Sequence, residues 1–273
     1  MNETIRQQFI HFLEEAKAII EPLNERGIPL RIIGALAFYH QCPGHRELYE
    51  KMQRTPTDID FVGYSKHRKE IQSVLESRGY EGLERLNVLF GMKRQIYRHP
   101  ETNLYIDIFY DVLDMCHKVN FKGRLEFDPL TISLTDLVLE KMQIVHINEK
   151  DIKDTILLFL EHDLSDGDES KINATYIAEE LSKDWGYYYT VTTNLKKCKT
   201  FADNYDWLTD EDRRIVKDRI DRLLKTVEDK PKSRKWKLRA KIGTKKKWYQ
   251  DVGGERAGFV HTGDSWAVKG SEV

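Results

Sequence analysis

Apolar positions recur at helical spacing from the start of the chain. Ile5, Phe9, Phe12, Leu13, Ala16 and Ile19 or Ile20 share one face, which predicts an amphipathic helix over residues 3–20, ended by Pro22 and Gly27. Residues 30–34 (LRIIG) are a β-branched run closing on glycine, and 35–40 resume a helical pattern, so a strand turns directly into a helix. Residues 41–57 are mostly polar, contain Pro43, Gly44 and Pro56, and read as a loop with room for one helical turn. Polar and apolar residues then alternate over 58–63 (DIDFVG), the period of a half-buried strand. A helix is predicted over 67–77. Two paired strands follow over 88–98 and 104–110, separated by a turn at 99–103.

From Ser133 the period changes. Leu134, Leu137, Val138, Met142 and Val145 form one helical stripe, and Ile152, Ile156, Leu157, Phe159 and Leu160 form another. Residues 163–170 are a polar, acidic connector, followed by two or three short helices up to Val227. A basic, tryptophan-containing segment comes next, and then a glycine-rich terminus expected to fray. No solenoid-type repeat is present. The expected fold class is α+β: a small mixed sheet with flanking helices, then a helical C-terminal region. The expected division is a core over 1–130, a helical extension that completes the site over 131–165, a helical unit over 170–229 and a basic segment with the terminus over 230–273.

Composition narrows the partners. The 273 residues are 40% hydrophobic, with 44 Lys and Arg against 45 Asp and Glu, so the chain as a whole has no bulk attraction to nucleic acid or membrane, and any such affinity is local. Cys42, Cys116 and Cys198 are far apart and in no CxxC pair, which argues against a disulfide framework or a zinc site and for a reducing compartment. The first twenty residues carry charges throughout and do not read as a signal peptide, and no apolar run approaches membrane-spanning length. A cytoplasmic protein with no membrane partner is expected.

The candidate chemistry is acidic. Asp58 and Asp60 stand two apart on a predicted strand, so both side chains leave the same face. At an effective dielectric near 20, two carboxylates about 4 Å apart repel by roughly 4 kcal/mol, a cost that a divalent cation converts into affinity. Asp107 interrupts the apolar strand 104–110, and a lone acid in a core strand needs a partner. If the two strands are neighbours, three carboxylates converge on Mg²⁺ or Mn²⁺ in a geometry suited to two-metal phosphoryl or nucleotidyl transfer. Upstream, the glycine of IIGA opens a helix whose free N–H groups and dipole suit a triphosphate.

In these motifs (IIGA, TDIDF and YIDIF) the chain resembles the nucleotidyltransferase superfamily related to DNA polymerase beta, and more closely its minimal and abortive-infection toxin-type members. The resemblance covers residues 28–163. It implies that Gly34 and Ala35 approach the phosphates of an NTP, that Asp58 and Asp60 hold the metals, and that Asp107 completes the site and helps deprotonate an attacking hydroxyl. The toxin-type D-x4-K and K-D patterns are matched by Asp136 with Lys141 and by Lys150 with Asp151, which implies that Lys141 meets the triphosphate and that Asp151 belongs to the nucleotide site. Two departures stand out: Ala35 replaces a second small residue of the pattern, and the insert between Gly34 and Asp58 is longer than usual.

In the C-terminal half, Ile177, Ala178 and Leu181, then Trp185 and Gly186, then residues 190–195 followed by Lys196, Lys197 and Lys199 resemble a helix-turn-helix; plain bundle packing gives the same pattern. Residues 230–248 hold ten Lys or Arg and no acid, and Lys235, Trp236, Lys245, Lys246, Lys247 and Trp248 combine phosphate-binding charge with rings that stack on bases. A basic arm folded onto an acidic face of the same chain is the alternative. Two functions follow: an enzyme that transfers NMP from an NTP to a hydroxyl on RNA, another polyanion, a protein or a small molecule, or a catalytically inactive relative that binds nucleic acid through its C-terminal half.

Overall fold

Strands β1 (Leu30–Ile33), β2 (Ile59–Gly63), β3 (Glu81–Gly82), β4 (Arg94–Arg98) and β5 (Tyr105–Tyr110) form one mixed sheet in the order β1-β2-β5-β4-β3. The computed structural model describes residues 4–84, 87–88 and 91–251, and the backbone of 259–262 and 265–268. The central pair, β2 and β5, is parallel and the other pairs are antiparallel. A parallel pair needs a crossover, and the chain from α4 (Arg68–Ser77) to β4 supplies it. Ile59, Phe61, Ile106 and Ile108 are fully buried on one face of this pair, which fixes its register, since a slip by one residue would expose all four. The outer edge of β1 is covered by residues 130–132, through Ile32 N–H to Leu130 O at 2.9 Å and Ile132 N–H to Ile32 O at 3.2 Å.

Helix α1 (Ile5–Asn24) begins with a capping box in which Thr4 and Gln7 satisfy each other's backbone N–H groups. It runs past Pro22 rather than ending there. In the last turn the missing proline N–H removes a single intrahelical bond, and the chain leaves the helix through Gly27, whose φ of 70° is in the left-handed region. Strand β4 is shorter than the predicted 88–98: residues 87–88 are helical and 91–93 form a turn, while 89–90 lie outside the described residues. The long insert after α2 (Gly34–Gln41) folds back as a 3-10 turn and α3 (Glu47–Lys51). Its Tyr49 packs edge-on against Phe9 and Tyr39, at ring-centroid distances of 5.2 and 5.0 Å.

After the small hairpin of β6 (Val112–Asp114) and β7 (Lys118–Asn120) the chain is mainly helical. It forms α5 (Leu134–Met142) and α6 (Glu149–Glu161), a short parallel pair β8 (Leu164–Ser165) and β9 (Ile172–Asn173), and then α7 (Ala174–Lys183), α8 (Trp185–Asn204), α9 (Asp210–Asp229) and α10 (Arg234–Ile242). One cluster of buried apolar residues runs from Ile5 to Val227 and joins the sheet to these helices. Arg124 ties the connector in: it donates to Asp136 at 2.7 and 2.9 Å, to Ser133 at 3.1 Å and to Asp168 at 3.0 Å, beneath the ring of Tyr176. No helix among the described residues is long and apolar enough to cross a membrane. In the predicted glycine-rich tail, 259–262 and 265–268 pair as an antiparallel ribbon, and its other residues lie outside those described.

Between α7 and α8 there is one residue, Asp184, which caps α8 by accepting the Tyr187 N–H at 2.8 Å. Trp185 and Gly186 are therefore the first turn of α8 and not the turn of a helix-turn-helix, a motif that needs three or four connecting residues. Nearby, the Thr190 hydroxyl donates to Gly186 O and accepts the indole N–H of Trp248, so the Nε2 of buried His117, 2.9 Å away, must be a donor.

Burial pushes the pKa of His117 down to about 4. The denatured chain takes up this proton near pH 6.5 and the native chain does not until about pH 4, so the contribution is fully present above pH 6.5 and is lost as pH falls through this window. The expected loss from His117 alone is about 3 kcal/mol. Urea denaturation at pH 7, 5.5 and 4.5 checks it: His117→Gln should flatten the decline relative to wild type, and parallel curves would assign the acid sensitivity to other groups.

Candidate active site

Parallel pairing of β2 with β5 places Asp60 directly beside Asp107, and β1 places Ile33 on Asp60's other side. Asp58 lies immediately before β2, half-buried like Asp60, and its carboxylate accepts from the Thr57 hydroxyl at 2.8 Å. The predicted convergence of the two acidic strands is present: Asp60's carboxyl is held well above its ordinary range, first by burial and then by the charges of Asp58 and Asp107, with Lys141 opposing.

Asp107 is 4% exposed. Both its oxygens accept from Arg94 of β4, which binds through Nε at 2.9 Å to each and through Nη2. Burial nevertheless outweighs Arg94 and leaves the Asp107 carboxyl above its usual range. Arg94 also lies over the ring of Phe109, 5.1 Å from its centroid.

Gly34 opens α2 with φ at 69°, and a Cβ built on it would lie 2.8 Å from Asp60 Oδ2. Only glycine allows the helix start to approach the carboxylate this closely. The Gly34 N–H donates to Glu140 Oε2 at 3.1 Å, and the first turn of α2 has no side-chain cap, so the N–H groups of Ala35 and Leu36 have no partner within the helix. Lys141, 8% exposed, sits between Asp151 at 3.1 Å and Glu140 at 3.4 Å. Burial alone would lower its pKa, but Asp151 and Glu140 outweigh that and hold it protonated. Behind this, Arg54 makes a two-point bond to Asp154 at 3.1 and 3.3 Å, which anchors the long insert to α6.

Lys141 and Asp151 of the matched patterns therefore meet each other beside Asp60. Their sequence partners do not join them: Asp136 is bound to Arg124 and Ser133, and Lys150 is exposed. Residues that pattern reading missed are Arg94, Glu140, Arg54 and Asp154. Arg94 carries a weak signal in the sequence, a charge two positions from Ile96 in an alternating strand, but its partner is set by long-range register.

The basic segment is far from this cluster in the sequence and is docked on α7 and α8. Trp236 Nε1 donates to Leu181 O at 3.1 Å, and Trp248 Nε1 donates to Thr190 Oγ1 at 3.1 Å. Lys235, Lys245, Lys246 and Lys247 are exposed, and Lys247 pairs with Asp251.

Among the described residues no three His, Cys, Asp or Glu side chains are gathered to hold an ion as they stand. The donor set nonetheless fits a hard divalent cation. Asp58 and Asp60 offer carboxylate oxygens, their repulsion is what such an ion relieves, and Asp107 lies alongside with its oxygens held by Arg94.

No protein-family model and no curated protein matches the chain. Among solved structures, the solution structure of the antibiotic-resistance factor ANT(2'')-Ia is similar at 17% identity and a TM-score of 0.36, over 64% of this chain and 92% of that one. A likeness at that level carries no statement about chemistry.

Two measurements probe the geometry. Gly34→Ala should cost about 1–2 kcal/mol of stability for the left-handed backbone, and any activity should fall by about 10²-fold because Asp60 must move. Equal, small losses in both would mean that Gly34 is only a turn residue. Asp60→Asn should raise the melting temperature of the metal-free protein at neutral pH, by removing a charge crowded by Asp58 and Asp107, and the difference should shrink as the pH falls and wild-type Asp60 takes up its proton. Mg²⁺ at 100 times its dissociation constant should stabilise wild type by about 2.7 kcal/mol and leave Asp60→Asn unchanged.

Proposed function

We propose that this protein is a nucleotidyltransferase that moves a nucleoside monophosphate from an NTP to a hydroxyl acceptor and releases pyrophosphate. The observation that carries this reading is the side-by-side register of Asp60 and Asp107 on adjacent parallel strands, with Asp58 two residues earlier and the glycine-opened start of α2 against Asp60. Acids clustered beside uncapped helix N–H groups form a site for a cation-bound polyphosphate.

In the reaction the acceptor oxygen bonds to the α-phosphorus, the bond from that phosphorus to the bridging oxygen of the pyrophosphate breaks, and the hydroxyl proton leaves to a base. Asp107 suits that base, because burial raises its proton affinity while Arg94 fixes its orientation. Asp58 and Asp60 would hold Mg²⁺ or Mn²⁺, whose chemistry when bound is charge neutralisation and Lewis-acid polarisation of the phosphoryl oxygens. Lys141, kept charged by Asp151 and Glu140, acts on Asp60 and would offer a cation to the triphosphate.

The alternative, a catalytically inactive nucleic-acid-binding relative, is favoured by one observation: Arg94 already engages both oxygens of Asp107. Incubation with each α-labelled NTP, Mg²⁺ or Mn²⁺, and total RNA or cell lysate separates the two readings. Label should be transferred by wild type and reduced at least about 10²-fold in Asp60→Asn. Transfer by neither protein with any of the four nucleotides would establish the inactive reading.

A further inference from the structure

A cavity of about 610 Å³ opens where the start of α8, the helix α10 and residues 247–250 meet, and it shares no residue with the carboxylate site. Its size falls within the roughly 300–1,000 Å³ typical of small-ligand sites. Trp185, Tyr187, Trp236, Trp248 and Tyr249 contribute to its walls.

These rings are fixed before any ligand arrives. Hydrogen bonds from both indole N–H groups anchor Trp236 and Trp248, and edge contacts with Tyr188 and Tyr189, at centroid distances of 5.0 and 5.1 Å, brace them. Trp185 lies between Tyr189, stacked at 5.1 Å, and the guanidinium of Arg239, 4.7 Å from its ring centroid. Arg239 also donates to the carbonyls of Gly243 and Lys246, so the same side chain that covers Trp185 sets the turn carrying Lys245, Lys246 and Lys247. Aromatic walls ordered in advance lose little conformational entropy on binding.

The charge around the cavity is positive. Lys118, Lys183, Lys235, Arg239 and Lys247 line it against two acids, Glu180 and Asp184. Glu180 pairs with Lys183, Lys247 with Asp251 and Lys118 with Asp114, while Asp184 caps α8, so the lining keeps more cations than acids with Lys235 and Arg239 outside these ion pairs. Lys235 is exposed and has no partner among the described residues. Gly186 is part of this construction: a Cβ on it would lie 2.4 Å from the Trp248 carbonyl oxygen, so the glycine lets residues 247–250 close over the start of α8.

We propose that this cavity is a binding site for single-stranded nucleic acid, receiving a base against Trp236 and Trp248, with one flanking phosphate on Lys235 and others drawing Lys183 and Lys247 from Glu180 and Asp251. Flat rings with interleaved cations suit a ligand that alternates flat rings with anions. A duplex hides its base faces, and an acidic peptide has no use for the aromatic wall. The proposal does not depend on the carboxylate chemistry.

Anisotropy of a fluorescein-labelled 12-nucleotide single-stranded RNA tests it on the full chain, with intrinsic tryptophan fluorescence as a second readout, since three of the five tryptophans line the cavity. The strand should bind at 50 mM salt and quench the tryptophans, with a log K against log salt slope near −2 if about three phosphates are neutralised. The same sequence as a duplex should bind at least about tenfold more weakly, and heparin should displace the strand without quenching. Lys235→Glu with Lys247→Glu should lower affinity at least about tenfold, and Lys235→Ala with Lys247→Ala should lower it less, both with unchanged circular dichroism. Asp60→Asn should bind as wild type, which keeps this result separate from the fate of the transferase reading. Absence of binding at 50 mM salt, equal affinity for duplex, quenching by heparin, or lysine variants that bind like wild type would each overturn it.

Discussion

Two carboxylates held side by side on adjacent parallel strands repel, and much of the surrounding structure answers that repulsion. Backbone hydrogen bonding sets the Asp60–Asp107 pairing, so neither side chain can move away without breaking the register that buries Ile59, Phe61, Ile106 and Ile108. Arg94 takes Asp107, and Lys141 faces Asp60. Lys141 is itself buried and needs Asp151 and Glu140, while Asp154 behind them needs Arg54. Asp58, Asp60, Asp107, Glu140, Asp151 and Asp154 are six carboxylates coupled to three cations, Arg54, Arg94 and Lys141. The network is short of positive charge where Asp58 and Asp60 meet, a deficit that a divalent cation would relieve under the proposed function.

The sheet cannot build this network by itself. Lys141 and Glu140 come from α5, and Asp151 and Asp154 from α6, both beyond the last strand of the sheet. Arg54 comes from the long insert, which the sequence marks only as polar and proline-containing. Its function in the fold is to bring one guanidinium under α6 while Tyr49 fills the aromatic cluster beside α1 and α2. Since the buried cluster runs unbroken from Ile5 to Val227, the helices position the site as much as the strands do.

What was legible in the sequence followed from local rules. Period-two alternation gave β2, an apolar strand with one acid gave β5, and a β-branched run ending in glycine gave β1 and the start of α2; all four are present and adjacent. Pairings decided by distant chain segments were not legible. Lys141 could be singled out, but Glu140 beside it looks like an ordinary surface acid until α2 is placed against α5. Arg94 lay within a strand predicted too long, where a turn at 91–93 shortens it. That a carbonyl and a hydroxyl anchor the N–H groups of Trp236 and Trp248, and so fix how their rings are presented, is likewise invisible to composition. Pro22 read as a stop because propensity ignores how little one missing bond weighs in a helix whose other face is buried.

The contact of Gly34 with Glu140 bears on how a phosphate could bind at the start of α2 under the proposed function. A glycine N–H at the start of a helix is the donor expected to meet an anion, yet here a carboxylate already accepts from it at 3.1 Å. Burial raises the proton affinity of Glu140, and Lys141 with the Gly34 N–H opposes that, so its carboxyl draws on the same two groups a phosphate would seek. Two consequences follow from this geometry. The first-turn N–H groups left to a ligand are those of Ala35 and Leu36, and a ligand held there by backbone N–H groups would tolerate the Ala35 side chain. A polyphosphate drawing on Lys141 must also compete with Glu140 and Asp151 for one ammonium, so its binding and the position of α5 against α2 are coupled through a single lysine.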